Sequence, residues 1–133
     1  MATITLGQTA TISKIFTQDD VLAFSHLSLD FNPIHLDPEF AKNTVYGESI
    51  VHGMLVSSLF SALLGSHLPG KGTIYLGQDI KFIKPIFLNR KVTASVEVFS
   101  IREDKPIITL NTICKNNEGE IAISGHAVVM YNP

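Results

Sequence analysis

The sequence predicts an α+β protein in which a long apolar helix from the first half is wrapped by a curved antiparallel sheet from the second. Three observations carry this expectation. Between Glu48 and Lys71 there is no Asp, Glu, Lys or Arg. After Gly70 the apolar period changes from that of a helix to two. Turn residues then divide the second half into successive strand-like runs with short connections. At 133 residues, 45% of them hydrophobic, the chain can fill one core, and one domain over residues 1–133 is expected.

Ala10 to Phe16 can supply a strand. Thr17 is a good N-cap, followed by Asp19 and Asp20 in a first turn, and Val21, Leu22, Phe24, Ser25 and Leu27 suggest a short amphipathic helix ending near Ser28. Asp37-Pro38-Glu39 repeats the start signal, with Pro38 at the first helical position, and a helix of one or two turns can reach Lys42. The stretch between these helices, Leu29 to Leu36, reads as a turn or an extended kink.

The most apolar part of the uncharged interval runs from Ile50 to Leu64. As a helix it is roughly 22 Å long at about 1.5 Å per residue, whereas a bilayer core needs about 30 Å. It also holds His52, Gly53, Ser57, Ser58 and Ser61. A buried helix is therefore expected, and no membrane partner.

Beyond Leu68-Pro69-Gly70-Lys71-Gly72, a helix stop, Ile74, Leu76, Ile80 and Phe82 share one face of a strand. Val92, Ala94, Val96 and Val98 alternate with Lys91, Thr93, Ser95 and Glu97; Ile108, Leu110 and Thr112 make a third run, and Ile121 to Tyr131 a fourth. Asn116-Asn117-Glu118-Gly119 reads as the hairpin turn between the last two. Strands joined in this way imply an antiparallel meander or a close relative. A helix apolar nearly all round must be covered nearly all round, which a strongly curved sheet can do: the "hot dog" arrangement. So small a sheet has exposed edges, and pairing across a twofold axis predicts a homodimer.

Ten basic and 12 acidic residues give a formal net charge of -2, so there is no basic field to hold nucleic acid. Met1 to Thr11 lacks the basic start and apolar stretch of a secretory signal. The one cysteine, Cys114, can form no internal disulfide, which fits a cytoplasmic location, and it reads as a small hydrophobe. The five histidines include no His-x-x-x-His pair and have no Cys partner, so no metal is expected. No phosphate-binding loop or Gly-x-Ser-x-Gly elbow is present.

Two places can carry chemistry. In Leu29-Asp30-Phe31-Asn32-Pro33-Ile34-His35 an acid and an imidazole lie five residues apart across an Asn-Pro turn, where they can share one water and divide a proton transfer; equally, Asp30 caps a turn and His35 fills a crevice. In Val51-His52-Gly53-Met54 the glycine stands at a helix start, where unpartnered N–H groups can meet a substrate oxygen; equally, Gly53 permits close packing. Gly53, Ser57, Phe60, Ser61 and Leu64 fall within one stripe, which leaves room for a substrate tail or faces the sheet.

Taken together, Asp30-Phe31-Asn32-Pro33-Ile34-His35, Ile50-Val51-His52-Gly53-Met54 and Leu68-Pro69-Gly70-Lys71-Gly72 before Ile74-Tyr75-Leu76-Gly77-Gln78 resemble the MaoC-like R-specific enoyl-CoA hydratases over nearly the whole chain. The resemblance implies a homodimeric hot dog fold and reversible addition of water to a trans-2-enoyl-CoA, giving an R-3-hydroxyacyl-CoA. It implies no cofactor, coenzyme A being part of the substrate. By position, Asp30 and His35 are then the catalytic pair, the Gly53 amide binds the thioester oxygen, and Asn32, Ser61 and Leu64 are supporting or substrate-lining residues. Leu29 stands where the family often has glycine, and Ser49 where it often has proline. Lys81, Lys84, Arg90 and Lys91 can meet coenzyme A phosphates or form a solvated strand face. The same fold also hosts acyl-CoA thioesterases and non-catalytic acyl-thioester binding modules.

Overall fold

In the computed structural model, which describes residues 3–132, the elements follow the sequence signals closely. Met1, Ala2 and Pro133 lie outside the described residues, and with them the first residues of the segment read for a signal sequence. Strand β1, Thr9–Ile15, leads into helix α1, Gln18–Ser28. The Thr17 hydroxyl accepts from the Asp20 N–H at 3.3 Å while the Asp20 carboxylate accepts from the Thr17 N–H at 3.0 Å, a reciprocal cap. Helix α2, Pro33–Leu36, forms where only a turn was expected. Asn32 caps it through Oδ1 on the Ile34 N–H at 3.2 Å and Pro33 presets its first φ. Helix α3 covers Pro38–Lys42, capped by Asp37.

Helix α4, Gly53–Ser66, is the apolar helix. Val56, Phe60, Leu63 and Leu64 recur at helical spacing and are fully buried. They meet Val92, Ala94, Val96 and Val98 of β3 (Lys91–Ile101), Ile108 and Leu110 of β4 (Ile107–Lys115), and Ile123, Ala127 and Val129 of β5 (Ile121–Met130) in one core. Each large side chain so buried contributes about 1.5–3 kcal/mol. The opposite flank of α4 is not covered within the chain: Met54, Ser58, Ser61, Ala62 and Gly65 are exposed. The expectation of cover all round holds only for the remaining circumference.

The five strands form one antiparallel sheet in the order β1-β3-β4-β5-β2, with β2 at Ile74–Phe82. Consecutive pairing holds for β3, β4 and β5, but β2 lies beside β5 instead of β3. The chain from Ile83 to Arg90 crosses from one side of the sheet to the other, and this connection carries residues past the N-terminus of α4: the Val51 N–H donates to the Ile86 carbonyl at 2.7 Å. A bulge between Tyr75 and Gly77 breaks the alternation expected for Ile74, Leu76, Ile80 and Phe82, because Leu76 is the extra residue opposite Val129 and Val128. The hairpin at Asn116–Gly119 forms as expected, with Gly119 at φ 79° and Asn116 Oδ1 accepting from the Glu118 and Glu120 N–H groups at 3.0 Å.

Candidate active site

At the C-terminus of α1 the Leu29 N–H donates to the Ser25 carbonyl at 2.8 Å, and Leu29 takes the left-handed conformation, φ 66° and ψ 19°. That turn throws the chain back across the end of the helix and presents Asp30. One carboxylate oxygen of Asp30, Oδ1, accepts from the Asn32 N–H at 3.0 Å. The other has no hydrogen-bond partner among the described residues.

Asn32 then starts α2, whose single turn carries His35 back beside the aspartate. The Ile50 carbonyl lies 2.7 Å from His35 Nδ1. A carbonyl only accepts, so Nδ1 carries the proton and Nε2 of the neutral ring keeps its lone pair. The Ile50 N–H in turn donates to the Ile34 carbonyl at 3.2 Å, clasping this turn to the approach of α4.

Gly53 is the first residue of α4, and no side chain caps the helix. Its first N–H groups are therefore open, at the positive end of a 14-residue helix. A Cβ at Gly53 would lie 2.5 Å from Phe82 Cε1, so any larger residue here displaces that ring.

Asp30, His35 and Gly53 open onto one cavity of about 620 Å³. Its remaining wall is mainly apolar and includes Phe24, Ile83, Ile86 and Ile123. The volume falls within the range of about 300–1,000 Å³ common for small-molecule sites.

His52, which sequence reasoning left as a marker of the helix start, proves to lie against His35. The two rings stack with centroids 3.9 Å apart and planes at 28°. Burial, and then the proximity of His35, hold the His52 imidazole below its ordinary value of 6.5. The only sequence signal for this placement is adjacency to Gly53.

Asp30, His35 and His52 each offer a ligand atom within 4.8 Å of the others. Stacked imidazoles, however, hold their in-plane lone pairs in two nearly parallel planes, and Nδ1 of His35 and Nε2 of His52 already face carbonyls. Ligands of one cation must converge on it.

Of the other sequence candidates only Lys84 also lines this cavity. Asn32 supports the loop from its cap position. Ser61 is about 80° round α4 from Gly53 at 3.6 residues per turn and sits on the exposed flank, while Leu64 is in the core and does not line the cavity. Of the basic cluster, Arg90 holds both carboxylate oxygens of Glu48, at 2.9 and 3.0 Å, and Lys84 pairs with Glu120. Cys114 is fully buried, and burial pushes its thiol up to about 12, which makes it a core residue.

A model of the family described as "MaoC like domain" matches residues 3–117. The "(R)-specific enoyl-CoA hydratase" of Aeromonas caviae is 56% identical over 124 residues, which are 93% of this chain and 92% of that protein. A protein of the same description from Rhodospirillum rubrum is 40% identical over 124 residues, 93% of this chain and 85% of that one. The solved structure described as the (R)-hydratase from A. caviae involved in PHA biosynthesis superimposes with a TM-score of 0.97, at 52% identity, covering 99% of this chain and 100% of that one.

Proposed function

The chain belongs to the MaoC-like domain family, and from that membership we propose that it is an R-specific enoyl-CoA hydratase, a hydro-lyase that reversibly adds water to trans-2-enoyl-CoA. The observation that carries the catalytic assignment is the meeting of Asp30, His35 and the uncapped start of α4 at Gly53 on one apolar-walled cavity.

In the proposed reaction the thioester oxygen lies at the Gly53 N–H. The helix end stabilises the negative charge that builds there as water attacks C3, and one such donor typically lowers the barrier by ~3 kcal/mol. The water sits between the Asp30 carboxylate and His35 Nε2. As the water oxygen bonds to C3, the pair takes up one of its protons and returns that same proton to C2, a role worth roughly 10²- to 10⁴-fold in rate. Both groups act from one side of the substrate, so H and OH add to the same face. Asn32 keeps Asp30 and His35 at fixed separation through its place in both turns. The acyl chain occupies the apolar wall. No metal or redox cofactor takes part in this reading, and a location in the cytoplasm accords with an unpaired, buried cysteine. No helix among the described residues is long and apolar enough to cross a membrane.

The reading includes a homodimer. Strand β2 is a sheet edge, with Ile74, Leu76 and Phe82 exposed at 56%, 49% and 54%, and the bare flank of α4 leaves Met54 and Ala62 without cover. Unpaired apolar edges of this kind call for a partner, and Ser61 would then face the second copy.

Crotonyl-CoA tests the activity directly. Hydration removes the ultraviolet absorbance of the conjugated enoyl thioester and leaves the thioester intact. The expected result is loss of that absorbance with no free thiol. Thiol release in step with the absorbance change would replace the hydratase by a thioesterase, and no change in either would leave a binding module.

A further inference from the structure

His52 is 2% exposed, yet its ring is poorly explained as filling. Nδ1 is buried with no hydrogen-bond partner, a cost that an apolar residue of similar size would avoid. Nε2 lies 3.3 Å from the Asp30 carbonyl and 3.2 Å from the Ser25 hydroxyl. The carbonyl only accepts, so Nε2 carries the proton and the ring is a donor to the backbone of Asp30. One face of the ring lies against His35, and the Phe24 ring meets it edgewise with centroids 4.8 Å apart. The backbone of the same residue leads directly into Gly53 and caps α4. Ser25, which anchors the ring, is itself fully buried on α1 and also accepts the Leu29 N–H through its carbonyl.

One residue therefore touches the mounting of all three groups assigned to the reaction, Asp30 and His35 through its ring and Gly53 through its backbone. Resting on the hydratase reading above, we infer that His52, tethered by Ser25, is a positioning residue: its N–H fixes the Asp30 backbone and its ring face fixes His35 relative to the Gly53 amide. It needs no contact with substrate to act. The bare Nδ1 bears on this role as well: a protonated ring would bury an unpaired N–H there, so the working form is neutral and places no positive charge against His35.

Two amide substitutions separate positioning from packing. In His52→Gln the side-chain NH₂ reaches the place of Nε2, and in His52→Asn it stops near Nδ1. With crotonyl-CoA, His52→Asn is expected to lower kcat ~10- to 100-fold with KM held within about twofold, as misplacement of reacting groups does. His52→Gln is expected to restore most of that loss. A wild-type kcat in His52→Asn overturns the inference, as do equal losses in both variants with KM rising in step. If His52→Asn fails to give the wild-type circular dichroism spectrum, Ser25→Ala decides: it is expected to lower kcat roughly two- to fivefold at unchanged KM, and an unchanged kcat overturns the inference. A wild-type protein inert on crotonyl-CoA would overturn the hydratase reading and the inference with it. A wild type that hydrates, beside insensitive variants, overturns the inference alone.

Discussion

Two imidazoles lie face to face at the site, and what surrounds each sets its chemistry. His35 is turned by the Ile50 carbonyl so that Nε2 is free to work, whereas His52 is buried and spends its one N–H on Asp30. Burial first, and then His35, hold His52 low against the opposing pull of the Asp30 carbonyl and carboxylate. The consequence for stability has a definite sign. Below 6.5 the unfolded chain takes up a proton at this residue and the folded chain does not, until the pH reaches the lowered folded value. Stability therefore falls with falling pH across that window and is unaffected by this group above it. Urea unfolding between about pH 5 and 7 should show a smaller loss of stability on acidification in His52→Gln than in the wild type. Equal slopes would place the titration elsewhere. At this scale the sequence was legible where chemistry is local. Asp30, Asn32 and His35 are brought together by a turn whose residues encode it, while the stacking of His52 on His35 depends on long-range packing that no spacing reveals.

Among the elements, the join between α1 and the Asp30 loop carries a visible tension. Leu29 holds φ 66°, a conformation suited to glycine, and its side chain is 78% exposed and so contributes little packing in return. A non-glycine residue in that region costs roughly 1–2 kcal/mol, partly offset by the greater freedom glycine has when unfolded. Leu29→Gly should stabilise the protein by up to about 1 kcal/mol, read as a higher urea midpoint at unchanged slope; a lower midpoint would mean that Leu29 is held by contacts of its own. Helix starts and the hairpin were legible because capping and turn residues act over three or four positions. The bulge at Leu76 was not, since it needs support from outside its own segment: β2 is held in register by β5.

In the molecule as a whole, the uncharged interval encodes both the core and the position of the site. Its apolar side fills the sheet, and its N-terminal end opens onto the cavity beside Asp30 and His35. The pairing of β2 with β5 escaped the sequence because strand order follows from where the Ile83–Arg90 connection runs, and hydrophobic period does not record that path. The same arrangement leaves the β2 edge free, and the protein should run as a dimer by light scattering. Leu76→Lys on that edge should shift it towards monomer; a wild-type monomer at micromolar concentration would remove the dimer from the proposal. The central claim is that Asp30 and His35 together hydrate the enoyl thioester, and the most direct measurement is the crotonyl-CoA hydration rate of Asp30→Asn and His35→Ala beside the wild type, with folding checked by circular dichroism. Each variant should remain folded and lose roughly 10²- to 10⁴-fold in kcat, and the wild-type product should be the R-3-hydroxyacyl thioester. A folded variant that hydrates at the wild-type rate would contradict the account.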